Sequence, residues 1–184
     1  MNEVVFLPKK RQSRRESIKA FGGSTEDFDR WIPEVCGIFS LKMIGDTYGV
    51  SNELSVLELT QRCTVLGGFT ECSDGLIKGV YHKPLLTLAR QLSLQGVVEG
   101  RLTVAKIIEH VKRNHFVMLS INLQKINAEL SGGHLILIHG VNVQGNLFHI
   151  HDTSEILAKP GRNVILDKEY LEVVSNKKGL IVWN

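Results

Sequence analysis

Nowhere in the 184 residues does an apolar run approach the ~18 residues that a membrane span requires. The start of the chain also lacks the charged-then-apolar layout of a secretory signal, so a cytoplasmic protein with no membrane span is expected. Cysteine is scarce. There are three, too few to pair completely and without a Cys-x-x-Cys, which argues against a disulfide framework and against a structural zinc site. Cys63 and Cys72 are therefore read as plain reduced thiols, and no metal or cofactor is expected. Aromatic residues are missing from the one strongly charged block. Lys9, Lys10, Arg11, Arg14, Arg15 and Lys19 stand against Glu3 and Glu16, a local excess larger than the +3 of the whole chain. Bases without interleaved rings make nucleic acid an improbable partner, and residues 1–24 are read as a basic, mobile, solvated arm.

What is present suits one domain over 25–184. The 43% apolar and 22% charged content is ordinary for a globular protein, and the length allows burial of about two-thirds of the surface. The informative stretch is Cys36-Gly37-Ile38-Phe39-Ser40-Leu41-Lys42-Met43-Ile44. Its apolar spacing predicts a central helix running to Tyr48, stopped by Gly49, with Lys42 facing solvent. The sulfur then sits in the first turn, where free amides and the helix dipole favour thiolate over thiol. Gly37 would leave room for a substrate backbone to approach. Farther along, His134 opens the apolar strand Leu135-Ile136-Leu137-Ile138, and Asp152 closes the next, Phe148-His149-Ile150-His151. Thiol, then imidazole, then carboxylate is the order of a nucleophile, its base and the group that orients the base.

The cysteine segment resembles the Cys-Gly-Pro-Ala-Ser-Leu-Ala-Met-Ile type of motif of the bacteriocin-processing, double-glycine-leader family of papain-like cysteine peptidases and its stand-alone relatives. Gly133-His134 followed by apolar residues, the approach to a turn at Gly140-Val141-Asn142, and Asp152 are similar to that family's His and Asp motifs. The likeness runs from about Trp31 to the C-terminus. It implies an α+β papain-like fold, a helical part carrying the nucleophile packed on an antiparallel sheet. It further implies a peptide or protein substrate, with Cys36 as nucleophile, His134 as general base and acid, and Asp152 as orienter. The family usually carries a glutamine six residues before the cysteine to complete the oxyanion hole. Arg30 occupies that offset here. Arg30, Trp31 and Glu34 are thus the oxyanion and cleft candidates, and the amide-rich loop with Asn122, Gln124 and Asn127 is another.

Other elements follow from local patterns. Gly22-Gly23, the kind of pair such enzymes cleave in leaders, is read as a flexible loop. Ser51 is expected to cap a second helix, His82-Lys83-Pro84 to begin a third, and Thr103 to cap a fourth. The turn-rich segment 67–75 is placed at the cleft wall. Phe116-Val117-Met118-Leu119-Ser120-Ile121 is too continuously apolar for an edge strand, Asp167 caps a short helix, and Gly179–Trp183 reads as the closing strand. For His134 and Asp152 to share a sheet face, the hairpin between them needs an even pairing sum, hence an odd loop such as Gln144-Gly145-Asn146. That register puts Ile136, Ile138, Phe148 and Ile150 on one face. It puts His139, His149 and His151 on the reverse face with Leu135, Leu137 and Val141. His149-x-His151 also occurs in metal sites, but polar positions on a half-exposed sheet account for it here. Besides peptide hydrolysis, the same three residues would serve a transglutaminase, a deamidase or an acyltransferase of peptide maturation, and a non-catalytic peptide-binding module is the remaining alternative.

Overall fold

The computed structural model describes residues 4–184. Two short helices open it. The first, α1 (Arg14–Phe21), starts in a capping box between Ser13 and Glu16 and ends at Gly22, whose φ of 86° is the left-handed conformation that glycine adopts freely. The second, α2 (Thr25–Trp31), starts in the same way with Ser24 and Asp27. Then come the cysteine helix α3 (Cys36–Thr47), α4 (Val56–Val65), a small hairpin of β1 (Phe69–Glu71) and β2 (Ile77–Gly79), α5 (His82–Gln91), β3 (Gln95–Glu99) and α6 (Val104–Lys112). The chain continues with β4 (Phe116–Asn122), β5 (Gly133–Val141), β6 (Leu147–His151), β7 (Val164–Asp167), α7 (Lys168–Val174) and β8 (Ser175–Trp183).

The larger sheet has the order β3-β8-β4-β5-β6-β7, with every neighbouring pair antiparallel. The apolar run of β4 is explained by its place between β8 and β5, with both faces covered. On one face Met118, Leu135, Leu137 and Leu180 meet the helices that carry Ile38, Leu41, Leu85 and Leu88. On the other, Val117, Leu119, Ile136, Ile138 and Ile181 meet Ile107, Val111, Leu171 and Val174 of α6 and α7. The sheet is thus a middle layer, and α3 lies inside the first of the two cores. No helix among the described residues is long and apolar enough to cross a membrane.

Several expectations change. Lys42 is buried, not solvent-facing: every residue from Cys36 to Gly45 is enclosed, so its ammonium is matched by Asp46 Oδ1 at 2.5 Å and by the Ser51 carbonyl at 3.0 Å. Ser51 is taken up by this cluster, donating to Asp46 Oδ1 at 2.7 Å, and the cap of α4 is Ser55 in a box with Glu58. Gly22-Gly23 is the packed end of α1, where a Cβ on Gly22 would overlap Ser55. The segment read as a mobile arm is also packed: Val4 and Phe21 are in the core, and Phe21 meets Phe28 edge-on at 5.7 Å. Short apolar anchors spaced among the bases, Val4, Phe6, Ile18 and Phe21, tie this basic segment to the body.

The hairpin between His134 and Asp152 reaches the required faces by another route. Leu137 pairs with His151 and Ile138 with Ile150, but beyond a bulge Gly140 pairs with His149 and Val141 with Phe148. The bulge at His139 supplies the odd residue that had been assigned to the loop, and the turn spans 143–146. Ile136, Ile138, Phe148 and Ile150 do share one face, while Val141, beyond the bulge, joins their side.

Candidate active site

Cys36 is the first residue of α3 and is 8% exposed. Val35, in the cap position, makes no side-chain hydrogen bond, so no side chain competes with the sulfur for this helix end. Leu135 N–H, from the strand that begins with His134's neighbour Gly133, donates to Cys36 Sγ at 3.4 Å. Gly37 is where helix and cleft wall touch: a Cβ there would overlap Val80 Cγ1 and lie 2.9 Å from Leu135 Cδ1. Its missing side chain therefore serves close packing of α3, not the approach of a substrate.

His134 is 5% exposed and Asp152 is fully buried. His134 Nε2 lies 2.7 Å from Asp152 Oδ1, and His134 lines the same cleft as Cys36, where it is the main group that draws the sulfur's pKa down. With Nε2 turned to the carboxylate, Nδ1 is the nitrogen left for the sulfur. The carboxylate is itself fixed, since Oδ1 accepts from Ser154 N–H at 3.1 Å while Oδ2 accepts from Ile156 N–H at 2.7 Å and Leu157 N–H at 2.8 Å. Three backbone donors and an imidazole hold Asp152 ionised. Burial pushes its pKa up, but these bonds outweigh burial and the net shift is downward.

The same opposition sets the charges of the other two. Burial raises the Cys36 pKa, yet His134, the nearby Lys9 and the Leu135 N–H bring it down to about 7. Burial lowers that of His134, yet Asp152 and Cys36 raise it to about 9. Between these values the favoured pair is thiolate and imidazolium. Cys63, buried with no such partners, is pushed up to about 12 and stays an inert thiol.

A cleft of about 640 Å³ opens over the sulfur, lined by Cys36, His134, Val80, Tyr81, Gly133 and Lys178 among others. Of the turn-rich segment 67–75 placed at the cleft wall, Gly67 alone lines this cleft, and the wall is formed instead by the residues from Gly79 to Pro84, which follow the small hairpin. Arg30, Trp31 and Glu34 do not line this cleft. Arg30 points outward to Glu71 Oε2 at 2.6 Å and lies over the Trp31 ring, and Trp31 packs edge-on against Phe69 at 5.1 Å. Asn122 and Asn127 turn their carbonyls to the N–H groups of Gln124 and Glu129 instead of to the sulfur.

The histidines of the reverse face are not polar positions on an open sheet. His151 is 1% exposed, its Nδ1 accepts from Asn163 N–H at 3.1 Å, and His139 lies against it at 4.2 Å between ring centres. Among the described residues no group of histidine, cysteine or carboxylate side chains is arranged to hold a metal. The residue that sequence reasoning missed is Lys9. It is 7% exposed and reaches back to the turn before Cys36, donating from Nζ to Pro33 O at 3.3 Å. One base within a basic block carries no local signal of such a role.

Residues 17–176 match the family model described as the Peptidase_C39 like family. The chain belongs to that family. It has the papain-like fold of C39-like peptidases and is by membership a cysteine peptidase. Among solved structures it is similar to a C39-like peptidase from Bacillus anthracis, with a TM-score of 0.62 and 15% identity over 100% of this chain and 96% of that one. It is also similar to a double glycine motif protease from an AMS/PCAT transporter, solved in complex with the leader peptide. There the TM-score is 0.56 with 15% identity over 98% of this chain and 91% of that one. No curated protein sequence matches the chain. For this C39-like peptidase the two structures speak to the fold, and the chemistry rests on its own residues.

Proposed function

We propose that this chain hydrolyses a peptide amide bond through a thioester on Cys36. The observation that carries the reading is one arrangement: sulfur at a helix head, imidazole lining the same cleft, and a buried carboxylate 2.7 Å behind the imidazole. The thiolate attacks the carbonyl carbon, a C–S bond forms, and the carbonyl electrons move onto oxygen. When the tetrahedral species collapses, the C–N bond breaks and His134 gives its Nδ1 proton to the departing amine. Neutral His134 next removes a proton from water, which attacks the thioester and frees the acid and Cys36. Asp152 keeps Nε2 protonated throughout and stabilises the charged ring.

An extended peptide is the substrate class this reading adopts, laid in the open cleft between the 79–84 wall and Gly133. The similarly folded double glycine motif protease, which was solved with a leader peptide, is consistent with that choice. A cytoplasmic setting would keep the sulfur reduced. The test is a peptide library incubated with the native protein, Cys36→Ala and His134→Ala, read by mass spectrometry. New peptide termini with the native protein and none with either variant are expected. Unimpaired cleavage by Cys36→Ala would end the proposal. Ammonia release or crosslinks without backbone cleavage would transfer the same thioester to other chemistry.

A further inference from the structure

We propose that Lys9 is a positioning residue of the active site, whose buried ammonium is strapped between the turn before Cys36 and the loop after Asp152 and keeps the Cys36 sulfur charged. The inference rests on the reading of Cys36 as the nucleophile.

The strap is defined by contacts at both ends. Val5 N–H donates to Thr47 Oγ1 at 3.2 Å, at the far end of α3, and the Phe6 ring packs on His151 at 5.0 Å. Lys9 N–H donates to Thr153 O at 3.0 Å, next to Asp152, while Lys9 Nζ donates to Pro33 O at 3.3 Å, just ahead of Cys36. Residues 5–9 therefore bridge the helix that carries the thiol and the loop that carries the carboxylate. A side chain 7% exposed and bonded at both its backbone and its tip has little freedom to swing away.

A buried ammonium needs an anion, and a neutral carbonyl does not supply one. Burial is the largest influence on Lys9 and pulls its pKa below the ordinary lysine value, and the charged groups that face it and oppose burial are Cys36, then Glu34 and Asp152. Glu34 is a poor match, because its own burial pushes its carboxyl toward the neutral form. Asp152 is already saturated by His134 and three backbone amides. The sulfur is the anion that remains, and from its side Lys9 is the cation next in influence after His134.

The experiment follows iodoacetamide alkylation of the Cys36-containing peptide against pH in the native protein, Lys9→Met, Lys9→Gln and Lys9→Arg. Mass spectrometry separates this peptide from those of Cys63 and Cys72. Loss of the charge should move the midpoint upward by on the order of one pH unit in the Met and Gln variants, with Arg restoring it. Near neutral pH the thiolate fraction should drop about fivefold in the same two variants and recover as pH is raised, while the cleavage rate falls by only about twofold because a thiolate of higher pKa is more nucleophilic. A midpoint unchanged in both neutral variants overturns the proposal, whether or not activity or melting temperature falls, because a merely structural strap would do that. If Lys9→Met fails to fold, Lys9→Gln, which retains a donor for Pro33 O, decides alone. Failure of the underlying reading looks different: Cys36→Ala would still cleave, or His134→Ala would leave the native midpoint in place.

Discussion

Removing the imidazole tests the thiolate–imidazolium pair most directly. In the native protein Cys36 titrates at about 7, so near neutrality about half of it is thiolate. His134→Ala deletes the leading influences that lower that value and leaves burial, which raises it. The sulfur should return to the ordinary thiol value of roughly 8.5 or above, where at most about 3% is thiolate at pH 7. The thiolate population thus falls by about fifteenfold or more. A thiolate of higher pKa is, however, more nucleophilic, with a Brønsted slope of about 0.4–0.5, which returns about fivefold over that span. The rate at pH 7 therefore falls by only about threefold or more, so the midpoint of alkylation against pH is the deciding quantity. It should move from about 7 to roughly 8.5 or higher. Peptide cleavage, which also needs the proton donor, should fall by about 10²–10⁴. A His134→Ala midpoint that stays near 7 would refute the coupling of the pair and with it the mechanism.

Native kcat/KM should be bell-shaped in pH, rising through about 7 and falling through about 9, as measured with any cleaved peptide under steady-state conditions. Gly37→Ala drives a methyl into Val80 and Leu135, so thermal or chemical unfolding should report a loss of about 1–3 kcal/mol, and the alkylation midpoint of Cys36 should shift as α3 is displaced. Asp46→Asn strands the buried Lys42 ammonium and should cost about 3–5 kcal/mol in urea unfolding, more than Lys42→Met, which removes the charge itself. Burial and the charges of His151 and His149 depress the pKa of His139 to about 3, below its ordinary 6.5. Stability should therefore be full above about 6.5 and decline as pH falls toward about 3, a decline that His139→Gln flattens in a melting-temperature series. Arg30→Ala, which breaks an exposed ion pair with Glu71, should leave cleavage unchanged and move the melting temperature by no more than about 1–2 °C.

The residues of the proposed site were legible because each lies at a position local chemistry marks: Cys36 at the head of an apolar helix, His134 at the mouth of an apolar strand, Asp152 at the end of the next. The central strand, α5, α6 and α7 were legible for the same reason, since Thr103 and Asp167 cap the helices they precede. What the chain could not announce is anything that depends on distant segments meeting. Lys9 and Lys42 look like surface bases because a sequence window shows charge without its enclosure, and only the fold supplies Pro33 O to one and Asp46 with Ser51 to the other. Arg30, at the expected offset, is drawn away because Glu71 on β1 offers it an exposed partner. The His139 bulge is likewise a tertiary outcome, in which the pairing of β5 with β6 fits apolar residues on both faces at once. Periodicity and end-capping are properties of neighbouring residues and can be read along the chain. Desolvation and charge balance are properties of what surrounds a group, and they were decided only when residues 4–9 closed over α3 and the end of β6.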